Sequence, residues 1–61
     1  MLYENIKALS EKKKVSVSQV ERECGLKPNS IYHWDENKPS YDKVLVVAKY
    51  FETTVEKLVN G

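Results

Sequence analysis

The sequence predicts an all-α fold: a compact bundle of five short helices, the second and third forming a helix-turn-helix. Three observations carry this. Apolar residues recur at helical spacing along most of the 61 residues. Residues that cap helices stand ahead of most of those stretches. Gly and Pro number only 2 each, too few for the many tight turns of a β fold.

The first helix is expected over 2–13. Leu2, Ile6, Leu9 and Lys13 share one face with Tyr3 beside it, and Glu4, Lys7, Glu11 and Lys12 fill the other. Lys12-Lys13-Lys14 places cations at the negative end of the helix dipole. The run reads either as a solvated helix end or as a contact to a DNA phosphate.

Ser16 begins the second helix, with Gln19 completing a capping box and Val15 and Val20 at the staple positions. Val17, Val20 and Cys24 form its buried face, and Gly25 ends it in the left-handed conformation. Pro28 then suits the first position of a third helix, where its missing N–H costs nothing. Leu26 and Ile31 staple that helix, and Ile31 and Trp34 point to the core. Asn29, Ser30, Tyr32 and His33 are left outward, a face rich in hydrogen-bonding groups and nearly free of formal charge. A helix, a tight turn and a second helix over 16–34 is an arrangement whose second helix can enter a DNA major groove.

Residues 35–39 form a polar connection in which Asn37 can take a left-handed turn position. Ser40 can cap a fourth helix running to about Phe51, with Val44, Val47, Ala48 and Phe51 as its core stripe. Leu45, Val46 and Tyr50 leave extra apolar surface. Thr53 or Thr54 can cap a last helix over 55–59, with Val55, Leu58 and Val59 apolar and Asn60-Gly61 closing it.

The chain makes one domain, 1–61. At this length only about 60% of the unfolded surface is buried on folding, so stability is expected to be marginal. The net charge is +1, with residues 1–14 at +2, 15–26 at −1 and the rest neutral. This is not the balance of a non-specific DNA coater, so any DNA binding must rest on placed contacts. Cys24 is the single cysteine, which excludes an internal disulfide and suggests a reducing compartment. No apolar run approaches the roughly 20 residues of a membrane helix, and no secretory signal opens the chain. A cytoplasmic protein is expected.

Three stretches together resemble the phage repressor-type (Cro and cI-like, XRE) helix-turn-helix domains, in particular small repressors of Gram-positive phages and prophages. They are S-x-x-x-V-x-x-x-C-G-L at 16–26, S-I-Y-x-W at 30–34, and A-K-Y-F-x-x-T-V-x-x-L-V-N-G at 48–61. The resemblance spans essentially the whole chain. It implies a lambda repressor-like bundle whose third helix lies in the major groove of double-stranded operator DNA, with dimers on a pseudo-palindromic site. It assigns base reading to Pro28, Asn29, Tyr32 and His33, with Lys27 and Ser30 at the groove edge. It assigns phosphate contacts to Val17 and Ser18 and to Asn37 and Lys38, with Ser30 beside them. In related repressors a further domain carries dimerisation, so this domain alone is expected to be at most a weak homodimer, meeting near the fifth helix.

Some residues depart from the family pattern. Valine stands at position 17 where glutamine is frequent, and Glu52 stands where glycine or asparagine is usual. Glu21 stands where alanine packs between the two helices, so either its carboxylate leads out to water or the helix crossing shifts.

The residue types bear on these roles independently. An asparagine amide such as that of Asn29 can pair with adenine N6 and N7, about 1–3 kcal/mol of discrimination. Pro28 offers apolar contact only. Tyr32 reads equally as a phosphate or groove-wall contact or as packing on a neighbouring helix, and His33 can donate to a base or phosphate. Trp34 and Cys24 read as core. One histidine, one cysteine and no glycine-rich phosphate loop leave no metal set, no cofactor site and no catalytic constellation. The expected function is sequence-specific DNA binding by a repressor that blocks polymerase by occupancy. The alternative is a protein-interaction module on the same fold, an antitoxin or adaptor subunit.

Overall fold

A computed structural model describes residues 2–60. In order it holds α1 (Leu2–Lys13), α2 (Val17–Glu23), a one-turn 3-10 helix (Ile31–His33), α3 (Tyr41–Tyr50) and α4 (Val55–Asn60). No strand forms among the described residues. Over these residues the protein is thus a small all-α bundle of four α-helices, not five. The radius of gyration of 10.0 Å matches the roughly 10.5 Å of a compact chain this long.

The core is built from the expected stripes. Ile6 of α1, Val20 of α2, Val44, Val47 and Ala48 of α3 and Leu58 of α4 meet Ile31 and Trp34. Each such side chain contributes on the order of 1.5–3 kcal/mol by leaving water, the short Ala48 less. α1 is the central element: it packs on α2, on α4 and on the 3-10 turn, while α3 packs on α4. Ser10 is buried among these residues without penalty because its hydroxyl donates to the Ile6 carbonyl at 2.8 Å.

Three helices stop in the same way. After α1, α2 and α3 one residue turns left-handed: Lys14 (φ 63), Gly25 (φ 73) and Glu52 (φ 56). In each case the next residue's N–H reaches five residues back: Val15 to Ser10 at 2.9 Å, Leu26 to Glu21 at 2.7 Å, Thr53 to Ala48 at 2.9 Å. These are Schellman ends, which satisfy the last helical carbonyls. Only Gly25 takes the conformation without a Cβ penalty.

The helix starts are less uniform. The Ser16 hydroxyl accepts from the Gln19 N–H at 3.0 Å, the forward half of the expected capping box. The return half is missing, because the Gln19 amide donates instead to Glu23 one turn ahead, at 2.7 Å. Ser40 occupies the N-cap position of α3 but its side chain makes no capping bond. Thr54 caps α4 by accepting from the Lys57 N–H at 3.1 Å. Two long-range side-chain bonds finish the frame. Asp35 accepts from the Leu2 N–H at 2.9 Å, and the Asn5 amide donates to the Leu58 and Val59 carbonyls at 2.9 and 3.3 Å. The expected closing glycine, Gly61, lies outside the described residues.

Candidate nucleic-acid interface

The segment after α2 differs most from expectation. Residues 28–34 do not form an α-helix. The Ser30 N–H bonds back to the Lys27 carbonyl at 3.2 Å, and Asn29 has φ 66. Proline at the second position and a left-handed asparagine at the third are the signature of a type II turn. Pro28 therefore serves the turn and does not start a helix. The Ser30 hydroxyl donates to the same Lys27 carbonyl at 2.6 Å, which fixes the turn further. Beyond it, His33 bonds to Ser30, Trp34 to Ile31 and Glu36 to His33, at 3.0–3.1 Å. Such i to i+3 bonds give the tight 3-10 form, and one i to i+4 bond from Asn37 to His33 at 2.8 Å closes the segment.

Glu21 explains why the chain takes this path. Its side chain is 3% exposed and points inward, so the alternative in which its carboxylate leads out to water does not hold. One carboxylate oxygen accepts from the Asn29 N–H and the other from the Ile31 N–H, both at 3.0 Å. A buried carboxylate is tolerable when hydrogen bonds replace its hydration. The same two bonds satisfy N–H groups that the start of an α-helix would leave orphaned. Glu21 thus ties the turn and the 3-10 helix directly to α2.

The result is a segment with two faces. Ile31 and Trp34 are in the core. Lys27, Pro28, Asn29, Tyr32 and His33 are exposed. Tyr32, 60% exposed, stands edge-on to Tyr3 of α1 at 5.3 Å and to the His33 ring at 5.2 Å. It therefore packs on a neighbouring helix and still presents one side to solvent. His33 lies 3.9 Å from Glu36, with both side chains mostly exposed. Ser18, Asn37 and Lys38 are exposed as well, whereas Val17 and Ser30 are half-buried. Val17 packs against the core, so a phosphate could meet only its backbone.

Cys24 is half-buried at the end of α2, packed beside the core and not inside it. Burial, and then the neighbouring Glu23 charge, push its thiol above the usual range. It remains a protonated packing group, since reactivity needs the thiolate. Among the described residues no group of three or more His, Cys, Asp or Glu gathers in a way that could hold a metal ion. Among them also, no helix is long and apolar enough to cross a membrane.

Two contributions were missed by the sequence reading. Asp35 looked like loop polarity but holds the first N–H of α1. Glu21 sat in plain view on the stripe of Val17, Val20 and Cys24. An acidic residue at a core position signals a buried acceptor facing backbone N–H groups. Comparison of the chain with family models, with curated proteins and with solved structures finds no match.

Proposed function

We propose that the protein is the sequence-specific DNA-binding domain of a phage or prophage transcriptional repressor. The supporting observation is the two-faced segment: Glu21 and the core anchors Ile31 and Trp34 hold it rigidly, and five side chains able to contact DNA stand outward together. α2, the left-handed Gly25 and this segment are read as a shortened helix-turn-helix of the lambda repressor-like kind. The 27–30 turn and the 3-10 helix replace the usual second helix in the major groove of an operator half-site. Asn29 reads a base edge, with Tyr32 and His33 along the groove. Lys27 lies at its edge, and Pro28 offers apolar contact. Ser18, Asn37 and Lys38 sit where the flanking phosphates pass. A weak homodimer occupies a pseudo-palindromic operator and represses by excluding polymerase. Rigid presentation matters because contacts made by a pre-ordered segment do not first have to order it.

The test is a titration against the duplex upstream of its own coding sequence and against a scrambled duplex, at two salt concentrations. The expected result is a preference for the upstream duplex of about a thousandfold or more. Each lysine on a phosphate adds about 0.9 to the salt slope. Lys38→Gln should weaken binding to both duplexes alike and lower that slope by about one unit. Equal weak binding to both duplexes rules the reading out.

The exposed apolar side chains of α3 and α4, with Tyr41 at 66%, Val46 at 44% and Val59 at 47%, favour a second reading as a protein-interaction module, an antitoxin or adaptor subunit. A stoichiometric protein partner on purification, without DNA preference, selects it.

A further inference from the structure

An open groove runs along one flank of α1, between that helix and the 53–57 stretch at the start of α4. Asn5, Ala8, Leu9 and Lys12 line it on the α1 side, and Thr53 and Lys57 line it opposite, around a volume of about 580 Å³. A second depression shares Leu9 and Lys12 and continues past Phe51 to Glu52. The two adjoin at Leu9 and Lys12, with Ala8, Leu9 and Phe51 as their apolar lining.

The groove is lined by Lys12 and Lys57, and the second depression adds Lys13 and Glu52, which leaves an excess of positive charge. Lys12 and Lys57 are exposed. The one ion pair among the described residues is His33 with Glu36, so neither lysine has a carboxylate partner there. The Asn5 amide is already committed to the Leu58 and Val59 carbonyls. What the groove offers a visitor is apolar surface between two lysines that have no carboxylate partner among the described residues.

We propose that this groove docks an acidic amphipathic segment of a partner protein. An apolar side chain of that segment rests on Ala8 and Leu9, and its carboxylates meet Lys12 and Lys57. Nucleic acid fits worse: an apolar wall offers phosphate nothing. A second copy of the chain fits worse too. A two-fold contact through one shared patch would set Lys12 and Lys57 against their own duplicates. The groove also faces away from the candidate DNA segment. Tyr3 marks the side of α1 that touches Tyr32, and Ala8 and Lys12 lie roughly 140–180° around the helix from it at about 100° per residue. Both surfaces can be occupied at once, and the inference does not depend on the DNA reading.

The experiment uses the full chain labelled for amide NMR. The probe is a synthetic amphipathic peptide of glutamate, alanine and leucine, about twelve residues or three helical turns long. A twin with lysine replacing glutamate serves as control. Saturable shifts confined to the amides of Ala8, Leu9, Lys12, Thr53 and Lys57 are expected from the acidic peptide and not from its twin. The double variant Lys12→Glu, Lys57→Glu should bind the acidic peptide about tenfold more weakly and the basic twin more tightly. Both sites are exposed, and an unchanged helical spectrum verifies the fold. The proposal fails if both peptides bind alike, if the groove amides do not move, or if the charge reversal leaves affinity unchanged. It fails as well if the same amides shift with protein concentration alone, which would make the occupant a second copy, or with duplex DNA.

Discussion

Removing the Glu21 carboxylate strips the acceptor from two N–H groups, those of Asn29 and Ile31. Glu21→Ala is expected to destabilise the fold by about 2–4 kcal/mol, because a buried donor left without its charged acceptor loses on the order of 1–3 kcal/mol. A domain this small has roughly 3–5 kcal/mol in total, so the variant should be largely unfolded in denaturant curves where the wild type is not. Glu21→Gln keeps one acceptor and turns a donor toward the other N–H. Its loss should be smaller, about 1–2 kcal/mol. If Glu21→Ala unfolds at the wild-type denaturant concentration, the inward carboxylate is not what holds the segment. Lys14 and Glu52 bear the opposite prediction. Both are left-handed with a Cβ, a strain of roughly 1–2 kcal/mol. Lys14→Gly and Glu52→Gly should each raise stability by about 0.5–1 kcal/mol after glycine's greater unfolded-state freedom is subtracted. A loss on either substitution would contradict the Schellman ends. Gly25→Ala should lose about as much as the other two gain. An added Cβ there meets no atom within 4 Å, so the whole effect is backbone conformation. A left-handed Glu52 was legible in advance from a glycine-preferring position. Lys14 was not, since a lysine run reads first as favourable charge at a helix end.

The four α-helices were legible because each has an apolar stripe of period 3.6 and an identifiable stop. α1 runs Leu2–Lys13 as its stripe requires, and the turn at Thr53 and Thr54 yields a capped α4. The segment 28–34 was misread because proline serves two starts equally well. Its fixed φ suits the first turn of a helix and also the second position of a type II turn. The following Asn29 tips the balance, since asparagine accepts positive φ where most residues do not, and Glu21 then captures the N–H groups that this geometry frees. The Asn29 conformation is not a periodic feature, and although Glu21 lies on the α2 stripe, the N–H groups it takes are eight and ten residues away in sequence. Caps show the same limit. Ser16 and Ser40 look alike in sequence, yet only Ser16 accepts a capping bond. Ser16→Ala should therefore cost about 1 kcal/mol, measured by denaturant midpoint, while Ser40→Ala should cost much less. Equal losses at both positions would mean that the capping geometry is not as described.

At the scale of the molecule, one short bundle separates its tasks. The core stripes of α1, α3 and α4 hold the shape. Glu21 and Asp35 fasten the 27–37 stretch to it from two sides. Lys27, Pro28, Asn29, Tyr32 and His33 are thereby held outward, with the Tyr32 ring edge on Tyr3 and the His33 ring beside Tyr32 and Glu36. The candidate site was legible as a set of outward residues, because removing the core positions leaves them. Its shape was not, because a tip made by a turn and a helix read from its first residue present the same side chains differently. The reading role can be separated from the folding role at Asn29. Asn29→Gly keeps the positive φ that the turn needs and removes only the amide side chain, so the variant should fold at least as stably as the wild type. The most direct test is selection from a randomised duplex pool by the two proteins in parallel. If the segment reads bases, the wild type enriches one motif. The glycine variant then enriches the same motif with its preference relaxed at a single position, by about 1–3 kcal/mol or roughly 5- to 150-fold. No enrichment by the wild type, or an unchanged motif with the folded glycine variant, contradicts base reading by Asn29.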